Sequence, residues 1–441
     1  MRIAIIGAGF TGLAAGHWLL KHKHEVVIFE RSNYVGGLGA GMRDAIDNFP
    51  VEWEWDLEQF YHHWFTNDYH VLQLGKDLNP AERGSSLTPK FITRRPVTSV
   101  LYQDRIYPFD SPLSILTFPH LKLIDKIRTA LTMAQLKYLY NLKRSRELED
   151  ITAHQYLQAK LGSRSYQQLW EPLLKGKFGD SYREVSMRWF WARIYKRTPK
   201  LVYSVGGFSA FAQDIALEIY KLGGQIHLSS EIEKIEISDS SHLTLHPPNQ
   251  TFDRIIVTTP PPSLSRLVAN LPEDYTQSLT SAKGIGALTL VLSLHHPLMD
   301  KTYWLNVNDP SWPFLAVVEH TNFMDKSHYN NEHIVYIGDY LDKDHPHMQM
   351  KKDALIRKFT PYLKKINPLF SEESIIHSFT FKTPYAQPIP GLNHQAKILP
   401  LTTPVPGVFL ATMAQVYPWD RGTNYAIELG QKVAHLATTK S

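Results

Sequence analysis

The sequence predicts an α/β protein, and three observations near its start carry that prediction. Arg2–Ile6 (RIAII) is a short β-branched run. It enters Gly7-Ala8-Gly9-Phe10-Thr11-Gly12, after which Leu13–Lys21 reads as a helix. Glu25–Phe29 (EVVIF) is a second strand, followed at once by the acid Glu30. Together they make a βαβ unit of the Rossmann-like kind.

Each glycine in that unit has a mechanical task. Gly7 makes the tight turn, Gly9 lets the backbone approach a pyrophosphate, and Gly12 lets the helix pack close to the strand. The backbone at Phe10 and Thr11 opens the helix, whose N–H groups and dipole suit phosphates. Glu30 is placed for the hydroxyls of an adenosine ribose. The expectation is a dinucleotide site.

A second glycine-rich turn follows soon after the ribose acid, in Arg31–Gly41 (RSNYVGGLGAG). This segment resembles the flavin-containing amine oxidoreductase superfamily, which includes protoporphyrinogen oxidases, phytoene desaturases and UDP-galactopyranose mutases. The resemblance implies FAD, with Arg31 and the doublet Gly36-Gly37 beside its pyrophosphate. Leu38 stands where many members have arginine. Further blocks are similar to the family: Tyr203–Glu236, whose Ile232 is implied to meet adenine through its backbone; Phe252–Pro261 (FDRIIVTTPP), which brings Thr259 to the cofactor; and Pro406–Ala434, where Gly422, Thr423 and Asn424 begin a helix under the flavin ring. The family's usual Gly-Asp after that last strand is Thr412-Met413 here. The resemblance implies a discontinuous FAD-binding domain (1–85, 201–284 and 385–441). An inserted mixed-sheet substrate domain (86–118 and 285–384) and a helical subdomain (119–200) complete it.

Composition limits the chemistry. At 441 residues the chain has room for two or three domains, and 43% hydrophobic with 20% charged residues is ordinary for a folded chain. It has no cysteine, which excludes disulfides, thiolate metal sites and thiol nucleophiles. His295-His296 and His345 with His347 lack carboxylates at ligand spacing, so no metal is expected. No GxSxG elbow is present. The 10 Trp, 22 Tyr and 20 Phe fit either a large core or an apolar pocket. The net charge of +5 is concentrated in two segments. Leu121–Arg146 has Lys122, Lys126, Arg128, Lys137, Lys143, Arg144 and Arg146 against Asp125 alone, and Lys175–Lys200 is similarly basic. A basic middle suggests an anionic or lipid-like small-molecule substrate, or a membrane surface. No nucleic-acid motif accompanies it. Leu121–Arg146 is expected to form one amphipathic helix with Ile124, Ile127, Leu131 and Tyr138 on a buried face; rest on an anionic bilayer is the alternative. The uncharged run Ile3–Leu20 looks like a signal peptide, but its glycine spacing argues for the dinucleotide turn. The expected location is therefore cytoplasmic, with peripheral contact at the inner membrane face tied to residues 121–146.

Candidate catalytic residues come from the family's flavin-facing segments. Leu57–Asp68 (LEQFYHHWFTND) is similar to the flavin-facing segment of the mutases, and puts His62 or His63 near the ring. Tyr107 lies in a pocket-edge segment, while Trp419 and Tyr425 flank the last helix start. Amine oxidases carry a lysine in a substrate-domain strand; the similar strand here, Gly286–Leu290, contains none, and Lys283 just upstream is expected to face a turn, which argues against amine oxidation. The expected activity is an FAD-dependent oxidoreductase that dehydrogenates an apolar or lipid-like substrate by hydride transfer to flavin N5. The alternatives are mutase-like chemistry without net redox on a nucleotide-sugar or lipid-linked sugar, and a non-catalytic carrier like the escort proteins of prenylated GTPases.

Overall fold

The computed structural model describes residues 1–78, 91–237, 242–281 and 283–439. The 85/86 domain boundary expected above lies outside the described residues. The chain divides into two compact units, one of Met1–Ile92, Val202–Lys283 and Lys397–Ser441, the other of Thr93–Leu201 and Gly284–Ala396. Residues 385–396 group with the second unit instead of the first, because the strand Ile375–Pro388 carries the chain along its sheet edge.

The first unit is built on a five-stranded parallel sheet in the order Val408–Leu410, Arg254–Val257, Arg2–Ile6, Glu25–Phe29, Gln225–His227. Ile3, Ala4, Ile5, Val27, Ile28, Ile255 and Ile256 are wholly buried, as a strand covered on both faces requires. Each isoleucine or valine side chain so buried contributes roughly 1.5–3 kcal/mol. Helix Phe10–Lys21 lies against helix Thr423–Thr438, where a Cβ on Gly430 would stand 2.3 Å from the Thr11 carbonyl oxygen. Glycine allows that backbone approach. Helix Gly207–Lys221 packs on the same opening helix.

The second unit has a seven-stranded mixed sheet, ordered Ile375–Pro388, Gly284–Leu294, His333–Leu341, Ala316–Glu319, Thr302–Val307, Val97–Tyr102, Arg105–Pro108. Only the Thr302–Val307 and Val97–Tyr102 pair is parallel. Leu288, Leu290, Leu292 and Leu294 alternate onto one face with Val335 and Ile337 and meet Leu355, Phe359 and Leu363 of helix Lys352–Ile366. The helices Ala153–Leu161, Glu171–Phe178 and Met187–Lys196 belong to this unit.

The segment Leu121–Arg146 departs from expectation twice. The α-helix covers only Leu123–Ala134; it loosens into a π-helical turn over Gln135–Leu139 and stops where Tyr140 turns extended. Ile124, Ile127, Leu131 and Tyr138 are exposed and not buried, because Asp125, Thr129 and Thr132 occupy the inward face.

Candidate functional site

The first unit's glycine loop and its second glycine turn press against each other. Gly7 has φ 105°, and a Cβ there would come within 2.6 Å of Thr258 Oγ1; at Gly12 a Cβ would lie 1.9 Å from the Gly7 carbonyl oxygen. Only glycine permits either. Gly9 is extended at φ −71°, and the only described atom near its added Cβ would be Gly37 Cα at 3.8 Å. Gly9 is thus glycine without needing to be so for its own neighbours, which fits a ligand's close approach. Gly36 and Gly37 have φ 110° and 60°, and the Gly36 N–H donates to the Ala8 carbonyl at 2.9 Å. Glu30 accepts from the Ala8 N–H (2.7 Å) and the Ser32 N–H (2.9 Å), leaving acceptor capacity for ribose hydroxyls. Among the described residues the N–H groups of Thr11 and Gly12 have no partner, as at an uncapped helix start. The Phe10 ring is turned away, stacked on Phe211 at 6.0 Å. Arg31 and Leu38 are exposed beside the second turn. Ile232 is buried with Phe252 and Leu264, so its backbone alone is available, and the Thr259 hydroxyl bonds that of Ser263.

The closing helix reaches the same place. A Cβ on Gly39 would lie 2.8 Å from the Phe10 ring and 3.6 Å from Thr423 Cγ2. The Thr423 hydroxyl accepts the Trp64 indole N–H, and Asn424 Oδ1 accepts the Val71 N–H at 3.1 Å. Both side chains are therefore structural. Their own N–H groups have no partner among the described residues, whereas those of Tyr425 and Ala426 turn back to the Gly422 carbonyl. These donors, Glu30 and the open backbone at Gly9 fit a dinucleotide.

His62 and His63 point apart, as neighbours in an extended segment do. The His63 ring faces Tyr61 and Phe65 at 6.4 and 5.7 Å. His62 lies 5.4 Å from the Phe208 ring, with Nδ1 2.5 Å from the Phe60 carbonyl oxygen. Burial first, then the charge of Arg421, lowers its pKa to about 4. The ring is held neutral at pH 7 with its proton on Nδ1, directed at the Phe60 carbonyl, which leaves Nε2 as the acceptor. Trp419 and Tyr425 are parallel at 6.0 Å. Burial, with Asp68, Glu428 and Asp420 nearby, raises the Tyr425 phenol well above its ordinary range, so it stays protonated. Tyr107 belongs to the second unit, and its hydroxyl pairs with His120 Nε2 at 2.9 Å. Also in that unit, Lys177 stands 5.6 Å over the Trp189 ring and 5.0 Å over Tyr340, with Arg193 5.2 Å over Trp189.

Sequence reading passed over Glu58, which is wholly buried and accepts the Tyr203 hydroxyl (2.7 Å) and the Phe208 N–H (2.9 Å). Burial raises its pKa to about 7 and that of nearby Asp56 to about 6. The available signal was an acid, Glu58, set in an aromatic run.

The family model for flavin-containing amine oxidoreductases matches residues 10–437. The chain belongs to that family. Its dinucleotide is accordingly FAD, and the family's enzymes are oxidoreductases. The chain is 27% identical over 186 residues to the zeta-carotene desaturase of Solanum lycopersicum, covering 39% of this chain and 30% of that protein. It is 25% identical over 245 residues to an uncharacterised protein of Methanocaldococcus jannaschii, covering 55% of each. The matches thus span from about a third to about half of those relatives. Among solved structures, an Exiguobacterium protein assigned as a protoporphyrinogen oxidase superposes with a TM-score of 0.75 at 16% identity, covering 99% of this chain and 98% of that one. That likeness shows the fold.

Proposed function

We propose that the chain dehydrogenates an apolar, lipid-like substrate met at the cytoplasmic surface of a membrane, with His62 receiving the proton released as hydride leaves the substrate. What supports this reading is the setting of His62: its Nδ1 is tied to the Phe60 carbonyl oxygen, which leaves Nε2 as the ring's acceptor, and burial favours the neutral ring. A positioned base of this kind contributes roughly 10² to 10⁴ in rate.

In this reading bound FAD supplies the hydride acceptor, and the first unit holds it. Gly7, Gly9, Gly12, Gly36 and Gly37 shape the backbone around the pyrophosphate. Glu30 would hold the ribose, and the Thr423 and Asn424 N–H groups would be the donors available to negative charge on the flavin. The strand Gly284–Leu294 has no lysine, which favours oxidation of carbon over that of an amine. The name of the zeta-carotene desaturase relative supports an apolar substrate class.

Anaerobic mixing of oxidised protein with a polyene or isoprenoid substrate tests the reading. Stoichiometric bleaching of the flavin band is expected. Turnover of a nucleotide-sugar only after dithionite reduction, with no net flavin oxidation, would replace the dehydrogenase by a mutase.

A further inference from the structure

Helix Leu123–Ala134 is amphipathic with its polarity reversed. Asp125, Thr129 and Thr132 face the protein at 8%, 0% and 5% exposure, while Leu123, Ile127 and Leu131 face outward at 70%, 42% and 67%. The inward Thr129 hydroxyl is satisfied within the protein: it donates to the Asp125 carbonyl (2.8 Å) and pairs with the Ser165 hydroxyl (2.7 Å). The short helix Pro112–Thr117 adds exposed Leu113, and Lys126 Nζ fixes its end by donating to the Leu116 carbonyl at 2.7 Å. Tyr138, at 79% exposure, continues the apolar face beyond the helix. Exposed apolar side chains scattered singly are ordinary; a contiguous set on one helix and its two neighbours marks a contact surface.

The charges around this face identify what it contacts. Lys122 and Arg128, at and within the helix, and Lys143 and Arg146, which follow it in the chain, are all exposed. The acid of the helix, Asp125, is turned inward, and Glu147 pairs with Arg144 at 3.7 Å. An apolar stripe flanked by exposed cations, with Asp125 turned inward and Glu147 paired, complements anionic lipid, whose headgroups take the cations while leucines reach the acyl boundary. No helix of the described residues is long and apolar enough to cross a membrane, so the element lies on the surface.

We propose that this face seats the protein on an anionic bilayer, with Leu123, Ile127 and Leu131 inserted and Lys122, Arg128 and Lys143 at the headgroups. The proposal deepens the membrane-surface part of the reading above and rests on that part alone.

Flotation of the FAD-loaded protein tests it, with vesicles of phosphatidylcholine alone or with roughly one phosphatidylglycerol in three. Binding is expected to the mixed vesicles, weakened by salt. Lys122→Ala, Arg128→Ala and Lys143→Ala should each weaken it roughly fivefold. Ile127→Glu with Leu131→Glu should abolish it while leaving the flavin spectrum unchanged, since both positions already face water. Failure to bind either vesicle, or equal binding to both, overturns the proposal. So does a lipid-free dimer in sedimentation that the double variant dissociates, which would assign the face to a second copy. Flavin bleaching by detergent-dispersed substrate is measured separately: its absence beside intact flotation removes the dehydrogenase and leaves the docking face standing.

Discussion

Trp64 donates its indole N–H to the hydroxyl of Thr423 at 2.5 Å, joining residues 359 positions apart. Both are buried, and the bond sets the first residue of the helix whose N–H groups are assigned to the flavin. Thr423→Val keeps the shape but leaves a buried donor unpaired, at a cost of about 1–3 kcal/mol. A lower melting temperature and faster FAD loss on dilution are expected, and unchanged values would show the bond to be dispensable.

Gly9→Val should give a folded, colourless protein. The extended backbone accepts a side chain, and its nearest described neighbour would be 3.8 Å away, so the protein's own packing survives. The branched side chain then fills the space assigned to the pyrophosphate. Circular dichroism and the visible spectrum together check this; retained flavin would refute that placement.

His62 predicts the shape of the pH profile. With a folded-state pKa near 4, the ring is already the free base at pH 5. Anaerobic flavin reduction should therefore be level from about pH 5 to 8 and decline only toward pH 4. His62→Gln should slow reduction by roughly 10² or more with the flavin spectrum preserved. A midpoint near 6.5 in the wild type would point to a more exposed histidine instead.

Glu58 makes the opposite demand on stability. Its folded-state pKa of about 7 lies above the ordinary 4.5, so the folded protein retains a proton that the unfolded chain releases. This contribution is whole below about pH 4.5 and is lost as pH rises through 7. Glu58→Gln retains an oxygen to accept from Tyr203 and Phe208 while removing the titration. The fall in melting temperature between pH 5 and pH 8 should be smaller in the variant.

The opening strand, glycine turn and second strand were legible because their signals are local: β-branched runs, a helical stretch and glycines within some thirty residues. The orientation of the helix at Leu123 was not. Periodicity groups Ile124, Ile127 and Leu131 on one side, but whether that side meets the protein depends on what the other side can pair with. Here Ser165, remote in sequence, gives Thr129 its partner. Glu58 was hidden for the same reason, since Tyr203 and Phe208 lie 145 and 150 positions away. Nothing in LEQFYHH announces them. For His62 and His63, alternation says that two adjacent rings diverge, but only the Phe60 carbonyl and Arg421 distinguish them.

The parallel sheet assembles from strands that leave the ribosome at widely separated times. Ile3 pairs with Arg254, and Ile255 pairs in turn with Val408. During synthesis the first βαβ unit therefore waits until Gln225–His227 and Arg254–Val257 emerge to cover its two edges, and Arg254–Val257 waits in turn for Val408–Leu410, until the whole second unit has emerged. Such long-range pairing makes folding slow and leaves an unpaired edge available to other nascent chains. Cofactor capture then becomes a late event, coupled to arrival of the strand Val408–Leu410 and the helix behind it. Truncation from the C-terminal end would accordingly surface as aggregation before it could be assayed as lost activity.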